Sequence, residues 1–364
     1  MGFDTGNQSF IICKLVQPLP ENLYERFMAF RGQSLSLVGD DPQIGWVSGR
    51  HLLDTTLTED TCNKGGYIHM NLRSAARKVP GALLQAECKM EELARLQAEQ
   101  KYTISRKEKA EIKKDIEKRL LKSMPPSISG IPFVIDPKHE YLYLGTASQS
   151  AIDSFMVFLE ETLDVEPIPL YPNIIIADIL KVDKHHIRSL NFSNSNHSAD
   201  PDNCGQDFCT WLWYFQEKEG GEIDLGNYGK FYIAVEGPIQ FAITDGPGAL
   251  ESVVRKGAVT TSYEGKAALK SGKKIKRCKY ILARDEQTWY FTIDADTLSY
   301  RGVKLPDGEE LEPISHFQER MLFIEIFRDA MIKLFETFVN EVSNEQSHEL
   351  LEEKVQDWVE NMNG

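Results

Sequence analysis

Residues 105–127 read SRKEKAEIKKDIEKRLLKSMPPS, a stretch that predicts a short amphipathic helix with a high concentration of cations. Ser105 and Glu108 have the spacing of a capping box, in which each side chain accepts a hydrogen bond from the other residue's backbone amide. From Ile112 onward isoleucine or leucine recurs every four residues, which leaves the lysines on another face. The Met-Pro-Pro sequence that follows ends the predicted helix.

A second helix is predicted over residues 80–100, and a turn at 101–104 joins the two helices into a hairpin. A hairpin with a narrow apolar seam is typical of an arm that projects from a body. A solvated charged face that binds nothing is the alternative interpretation of the same residues. The expected apolar side of the second helix consists of Leu83, Ala86, Met90, Leu93 and Ala94.

Charge is segregated along the 364-residue chain, whose formal net charge is −14. Residues 101–122 carry a net +5 and residues 266–279 a net +7, which leaves −26 for the remainder of the chain. Localised basic surface on an acidic body favours a polyanion in one place and repels it elsewhere. The sequence therefore indicates a nucleic-acid-binding surface, with solvated charge as the alternative for both basic segments.

The remaining sequence predicts a globular α+β protein. Alternating or continuous apolar runs predict strands at 9–16, 66–72, 131–136, 141–145, 229–236, 239–243, 289–293 and 298–303, and helical periodicity predicts helices at 23–30, 152–163 and 315–342. The expected domains are an N-terminal part at 1–190 that includes the hairpin at about 80–124, a hinge at 191–205, a second part at 206–342 and an acidic C-terminal extension at 343–364. No apolar run is long enough to span a bilayer and no signal peptide is evident, so a cytoplasmic location is expected.

Catalytic and metal-binding motifs are weak in this sequence. It contains none of the common phosphate-binding, zinc-protease or serine-hydrolase motifs. A loose metal-nuclease pattern runs from Asp245 to Glu264 and Lys266, in which two carboxylates would hold Mg²⁺. A zinc site can be drawn from Cys204 and Cys209 with upstream His185, His186 and His197, but the spacing is irregular. We therefore expect no catalytic residue, no metal and no cofactor.

The order of several motifs resembles the bacterial recombination-associated RdgC family over about residues 8–340. The matching elements are Ile44-Gly45-Trp46-Val47, Arg73, Lys78-Val79-Pro80, the hairpin segments EELARLQAEQ and RKEKAEIKKDIEKRLL, Phe133-Val134-Ile135-Asp136, Gly205-Gln206-Asp207-Phe208, Trp211-Leu212-Trp213, Leu298 and Gly302-Val303-Lys304-Leu305-Pro306. The resemblance implies an α+β fold with mixed or antiparallel sheets, flanking helices and a projecting basic helical hairpin.

The resemblance also implies a function. Proteins of this family are known as ring-shaped homodimers that encircle double-stranded DNA without sequence preference, associate with the nucleoid and restrain RecA-type recombination, although older labels describe an exonuclease. Where known members have Leu-Leu-Pro-Arg-Ala-Phe at the hairpin tip, this chain has Leu-Leu-Lys-Ser-Met-Pro at 120–125, which makes Met124 and Pro125 the expected dimer contact. The expected DNA-binding residues are Arg73, Arg77, Lys78, Arg106, Lys107, Lys109, Lys113, Lys114, Lys118 and Lys122 on the hairpin side, and Arg255, Lys256, Lys273, Lys274, Lys276 and Arg277 on the sheet side.

Two other functional classes fit the same residues. A metal-dependent exonuclease would degrade DNA in the presence of Mg²⁺ and would lose that activity on Glu264→Ala. A protein-interaction scaffold would use the basic hairpin to bind an acidic partner and would not bind DNA at physiological salt.

Overall fold

The computed structural model describes residues 2–39, 41–193, 204–245, 248–309 and 312–361. Strands and helices follow one another along this part of the chain. The strands are β1 (Gln8–Lys14), β2 (Gln43–Ser48), β3 (Asn63–Lys64), β4 (Tyr67–Arg77), β5 (Pro126–Asp136), β6 (Tyr141–Leu144), β7 (Ile168–Pro169), β8 (Glu222–Asp224), β9 (Lys230–Ala242), β10 (Glu251–Val254), β11 (Lys274–Arg284), β12 (Gln287–Asp294) and β13 (Ser299–Lys304). The α-helices are α1 (Leu23–Ala29), α2 (Glu59–Cys62), α3 (Gly81–Ala98), α4 (Arg106–Leu121), α5 (Gln149–Leu163), α6 (Pro172–Ile174), α7 (Cys204–Lys218), α8 (Tyr263–Lys270), α9 (Pro313–Val342) and α10 (Glu345–Glu360). This mixture of an antiparallel sheet and helices confirms the predicted α+β class.

The chain divides into two units. Unit 1 consists of Met1–Leu19, Lys64–Ile68 and Phe133–Gly364, and unit 2 consists of Pro20–Asn63 and His69–Pro132. The hinge predicted at 191–205 falls within unit 1, and residues 194–203 lie outside the described residues. The domain boundaries drawn from the sequence therefore stay a prediction.

Unit 1 contains an antiparallel sheet with the strand order β10-β9-β11-β12-β13-β1-β6-β5. In β11 the sequence KIKRCKYILAR alternates, so that Ile275, Cys278, Tyr280 and Leu282 are buried while the cations between them are only partly covered. Period-two alternation places successive side chains on opposite faces of a strand. The basic segment at 266–279 is therefore part of the structured sheet.

Aromatic helices cover the core of unit 1. The centre of α7, which reads DFCTWLWYF, is buried along its whole circumference. Phe208 packs edge-on against Phe335 of α9 with ring centroids 5.0 Å apart, and Trp211 stacks on Phe215 at 4.6 Å. The acidic C-terminal segment forms α10, whose Trp358 is buried against Trp213 and donates from Nε1 to Glu217. That segment is thus a docked amphipathic helix.

Unit 2 holds β2 and the helices α1 to α4. Strand β2 pairs antiparallel with β4, with Trp46 opposite Leu72, and Trp46 packs edge-on against Phe27 of α1 at 5.2 Å. The helices α3 and α4 follow one another and contact each other.

Most predicted elements are present within a few residues of their expected bounds. The two strands predicted at 229–236 and 239–243 are one strand, β9, which continues through Gly237 and Pro238. Strand β4 extends to Arg77, five residues beyond the predicted end. Elements that the sequence analysis did not assign include β2 and α8.

Candidate nucleic-acid interface

Helix α4 begins at the capping box expected from the sequence. The Ser105 hydroxyl accepts from the Glu108 amide at 3.3 Å, and the Ser105 amide donates to the Glu108 carboxylate at 2.8 Å. These hydrogen bonds from Ser105 are the main reason that the pKa of the exposed Glu108 carboxyl falls to about 2. The cap satisfies amides that the first turn leaves without an intrahelical partner, and it fixes where the basic helix starts.

A small apolar seam joins α4 to α3. Ile112 and Ile116 of α4 are buried against Leu84 of α3, with Cys88 and Leu120 partly buried beside them. Ion pairs cross the seam from Arg119 to Glu87 at 2.9 Å and from Lys109 to Glu92 at 3.6 Å. These two cations of α4 are therefore engaged by α3.

The apolar side predicted for α3 is wrong. Leu83, Met90 and Leu93 are 37%, 62% and 50% exposed, and Ala86 and Ala94 are exposed as well. In the seam, α3 contributes Leu84 and Cys88, which lie one turn apart. Helix α4 buries only two side chains fully, so it packs against a narrow row of residues on α3. The wider apolar stripe of α3 lies away from α4.

Six cations of α4 and its C-cap are exposed and have no acidic partner within 4 Å in the described part of the chain. They are Arg106, Lys107, Lys113, Lys114, Lys118 and Lys122. At 100° per residue, Lys107, Lys114, Lys118 and Lys122 share the side of α4 roughly opposite Ile112 and Ile116. We call these four residues the lysine face.

The lysine face runs along the whole helix. At 1.5 Å per residue, Lys107 and Lys122 are about 22 Å apart along the axis. Glu111 and Asp115, at about 40° and about 80° from Lys107, lie on the same side and lower the net charge of the face to +2, while Arg106 and Lys113 lie about 100–120° around the helix from Lys107. The result is an elongated strip with more cations than anions, in which no acidic oxygen lies within 4 Å of the four lysines among the described residues.

Arg73 and Arg77 bond to the protein's own backbone. Arg73 is 3% exposed, and its guanidinium donates to the carbonyl oxygens of Leu52 and Gln33. Burial lowers the pKa of this guanidinium. Arg77 donates to the carbonyl oxygens of Val38 and Met124. Arg73 is therefore buried, and the protein's own backbone occupies its guanidinium.

The remaining hairpin-side predictions lie near the ends of the helices. Lys78, just before α3, is exposed. Met124 is half-buried and Pro125 is exposed, and their role as a dimer contact stays a prediction.

Most of the sheet-side cations predicted to bind DNA have partners within unit 1. The contacts are Lys273 with the Ser252 hydroxyl, Lys274 with Asp207, Lys276 with Glu251 and Arg277 with Asp294. Lys274 is largely buried at 12% side-chain exposure, and its partner Asp207 is fully buried. Arg255 and Lys256, in the loop after β10, are exposed and have no acidic partner within 4 Å among the described residues. In the +7 segment, acidic partners thus offset four of the seven positive charges, those of Lys274, Lys276, Arg277 and Lys279.

The described residues bring together one group of potential metal ligands that the sequence analysis missed. Asp136, His139 and Glu325 each place one ligand atom within 4.8 Å of the others. Burial raises the pKa of the Glu325 carboxyl, against a hydrogen bond from Tyr67 that lowers it. Glu325 lies far along the chain from the other two, so no spacing motif could have indicated this group.

The residues of the two weak motifs do not join that group. Asp245 and Glu264 are exposed. Cys204 and Cys209 are buried while His185 and His186 are exposed, and His197 lies outside the described residues.

Together, the fold and the lysine face define an α+β protein with an exposed cationic helix. A family model with the description "Putative exonuclease, RdgC" matches residues 22–178, which include the lysine face. The match confirms the resemblance to the RdgC family over these residues. No curated protein matches the sequence. Among the described residues, none of the helices combines the length and apolarity that crossing a membrane requires.

Proposed function

We propose that this protein binds double-stranded DNA without sequence preference through the lysine face of α4. The observation that carries the proposal is that six cations of α4 and its C-cap have no acidic partner within 4 Å among the described residues, whereas four of the seven cations at 266–279 have one. RdgC-family assignment supports a recombination-associated DNA-binding role.

The chemistry of the lysine face suits phosphate contacts. Lysine is a flexible point charge that binds phosphate without reading base edges. A strip of about 22 Å matches about six base pairs at 3.4 Å per step along one strand. Lys78, Arg106 and Lys113 are further exposed cations of unit 2, while the rest of the chain, net negative, repels DNA elsewhere.

In the proposed assembly two copies form a ring around the duplex, as the family resemblance implies, with Met124 and Pro125 at the contact between hairpins. Arg255 and Lys256 are the sheet-side cations that remain for DNA. Because an encircled duplex can leave a closed ring only past a DNA end, the ring adds a topological constraint to weak electrostatic binding. Bound dimers would obstruct a RecA-type recombinase by occupying the duplex, with no chemical step, and would place the protein on the nucleoid.

A gel-shift series over rising salt, with linear and circular duplexes of unrelated sequence, tests the proposal. We expect binding to all sequences, with an affinity that falls steeply as salt rises because bound lysines release counterions. A closed ring predicts that a high-salt wash removes the protein from linear DNA but not from circular DNA. Absence of binding at 50 mM salt would refute DNA binding, and equal release from both DNAs would refute the ring.

The same series with and without Mg²⁺ tests the exonuclease named in the family description. Shortening of linear DNA only when Mg²⁺ is present would replace the non-enzymatic interpretation. Intact DNA under both conditions is the expected result.

A further inference from the structure

Two buried carboxylates and a histidine converge in unit 1, whereas the lysine face belongs to unit 2. Asp136 ends β5, His139 lies in the turn that follows, and Glu325 lies on α9. The His139 Nδ1 atom is 2.6 Å from Asp136 Oδ2 and 3.9 Å from Glu325 Oε2. An imidazole nitrogen therefore sits between one oxygen of each carboxylate.

The second oxygen of each carboxylate is held in place by other groups. Asp136 Oδ1 accepts from the backbone amides of Lys138 and His139, both at 3.1 Å. Glu325 Oε1 accepts from the Tyr67 hydroxyl at 2.5 Å. Hydrogen bonds of this kind orient ligand side chains around metal ions, because they fix the outer oxygen and leave the inner one to the metal.

The two buried carboxylates outnumber His139, the one group beside them that can carry a positive charge. Asp136 and Glu325 are 2% and 6% exposed. No lysine or arginine nitrogen lies within 4 Å of either carboxylate in the described part of the chain, and the nearby Arg328 is bonded to Tyr143 and Asp329. Buried carboxylates are normally paired with a cation or bound to a metal. The charge balance is thus an observation, independent of ligand spacing, that points to a cation.

We propose that Asp136, His139 and Glu325 bind one divalent metal ion of the Mn²⁺ or Zn²⁺ class. Carboxylate oxygens suit Mn²⁺ and imidazole suits Zn²⁺, so a mixed set favours these two over Mg²⁺ or Ca²⁺. The ion takes the place of the proton shared by His139 Nδ1 and Asp136 Oδ2, with a small separation of those atoms. Because the His139 side chain is 37% exposed, ions have access to the site and water can complete the coordination. The bound ion would tie the turn after β5 to α9.

Metal binding to tag-free, metal-stripped full-length protein tests this site. We expect one Mn²⁺ per chain by electron paramagnetic resonance, displaced by Zn²⁺. At 100-fold excess over Kd the ion should raise the Tm by about 3–4 °C for a chain of this size. Glu325→Gln and Asp136→Asn should each abolish both effects, while Glu336→Gln, an exposed-side control on the same helix, should not.

A structural role without metal is distinguishable from the proposed site. In EDTA, Glu325→Gln should be at least as stable as the native chain, since the amide keeps the hydrogen bond from Tyr67 and removes a buried charge. Mn²⁺ binding that survives Glu325→Gln would overturn the proposal, as would a native protein that neither binds Mn²⁺ nor gains stability from Zn²⁺. Duplex binding is read separately, so failure of this site leaves the DNA proposal untouched.

Discussion

Reversing two charges at the centre of the lysine face should weaken DNA binding by a calculable amount. Lys114 and Lys118 are exposed, have no acidic partner within 4 Å among the described residues, and lie on the side of α4 away from Ile112 and Ile116. The double substitution Lys114→Glu with Lys118→Glu therefore removes two phosphate contacts without touching the seam. Glutamate is also a good helix former, so α4 should persist.

The salt dependence gives the magnitude. Each lysine–phosphate contact contributes about −0.9 to the slope of log K against log salt, so four contacts predict about −3.6 and two predict about −1.8. Between 50 and 200 mM salt the native protein should lose about 150-fold in affinity, and the variant only about 12-fold. At 50 mM the variant should already bind more weakly, because two glutamates now face the phosphates.

Fluorescence anisotropy with a labelled 20-base-pair duplex measures both quantities. The matched control is Lys184→Glu with Lys354→Glu, which changes the net charge equally at exposed positions of unit 1. If the control and the test variant lose affinity alike, the effect is one of overall charge and the lysine face has no special role. An unchanged slope in the test variant would refute the assignment of Lys114 and Lys118.

Three further predictions probe the surroundings of the lysine face and the core of unit 1. Glu111→Gln removes one of the two acids on the side of the lysine face and should raise duplex affinity about two- to five-fold at 50 mM salt, an effect that shrinks as salt rises; a fall in affinity would place the DNA elsewhere. Ile116→Ala opens a cavity in the small seam and should cost about 2 kcal/mol locally, seen as faster amide exchange in α4 with that of α9 unchanged; uniform acceleration would contradict an independent seam. Burial, assisted by Glu219, raises the pKa of Glu341 from 4.5 to about 7, so the folded state holds this proton more tightly and stability falls as pH rises from about 4.5 to 7. Because Glu341 is partly exposed we expect about 1–2 kcal/mol, and Glu341→Gln should flatten that part of the Tm profile; an unaltered profile would show that Glu341 does not titrate there.

The helix of the candidate site could be read from the sequence because its determinants are local. The Ser105–Glu108 capping box and the four-residue spacing of Ile112 and Ile116 act within a few turns, and both are present in the structure. The exposed lysines follow from the same periodicity, since residues opposite a buried ridge face solvent.

The spacing of apolar residues predicted the wrong buried side for α3, where two apolar patterns lie on one helix. Helix α3 carries a wide apolar stripe at Leu83, Met90 and Leu93, and hydropathy alone favours burying it. The side of α3 that is buried is instead set by α4, whose narrow row of apolar side chains packs against Leu84 and Cys88. The face that a helix buries thus depends on its partner, which no single-helix pattern contains.

By itself the sequence determined the fold class, the basic helix with its start and its buried ridge, and the segregation of charge. Only the tertiary structure decided which cations have acidic partners. Lys274 and Asp207 are 67 residues apart, and Asp136 and Glu325 are 189 apart, yet each pair lies together. The physical reason is that ionic attraction depends on distance in space and on burial, so a count of charges along the chain cannot show which of them neutralise each other.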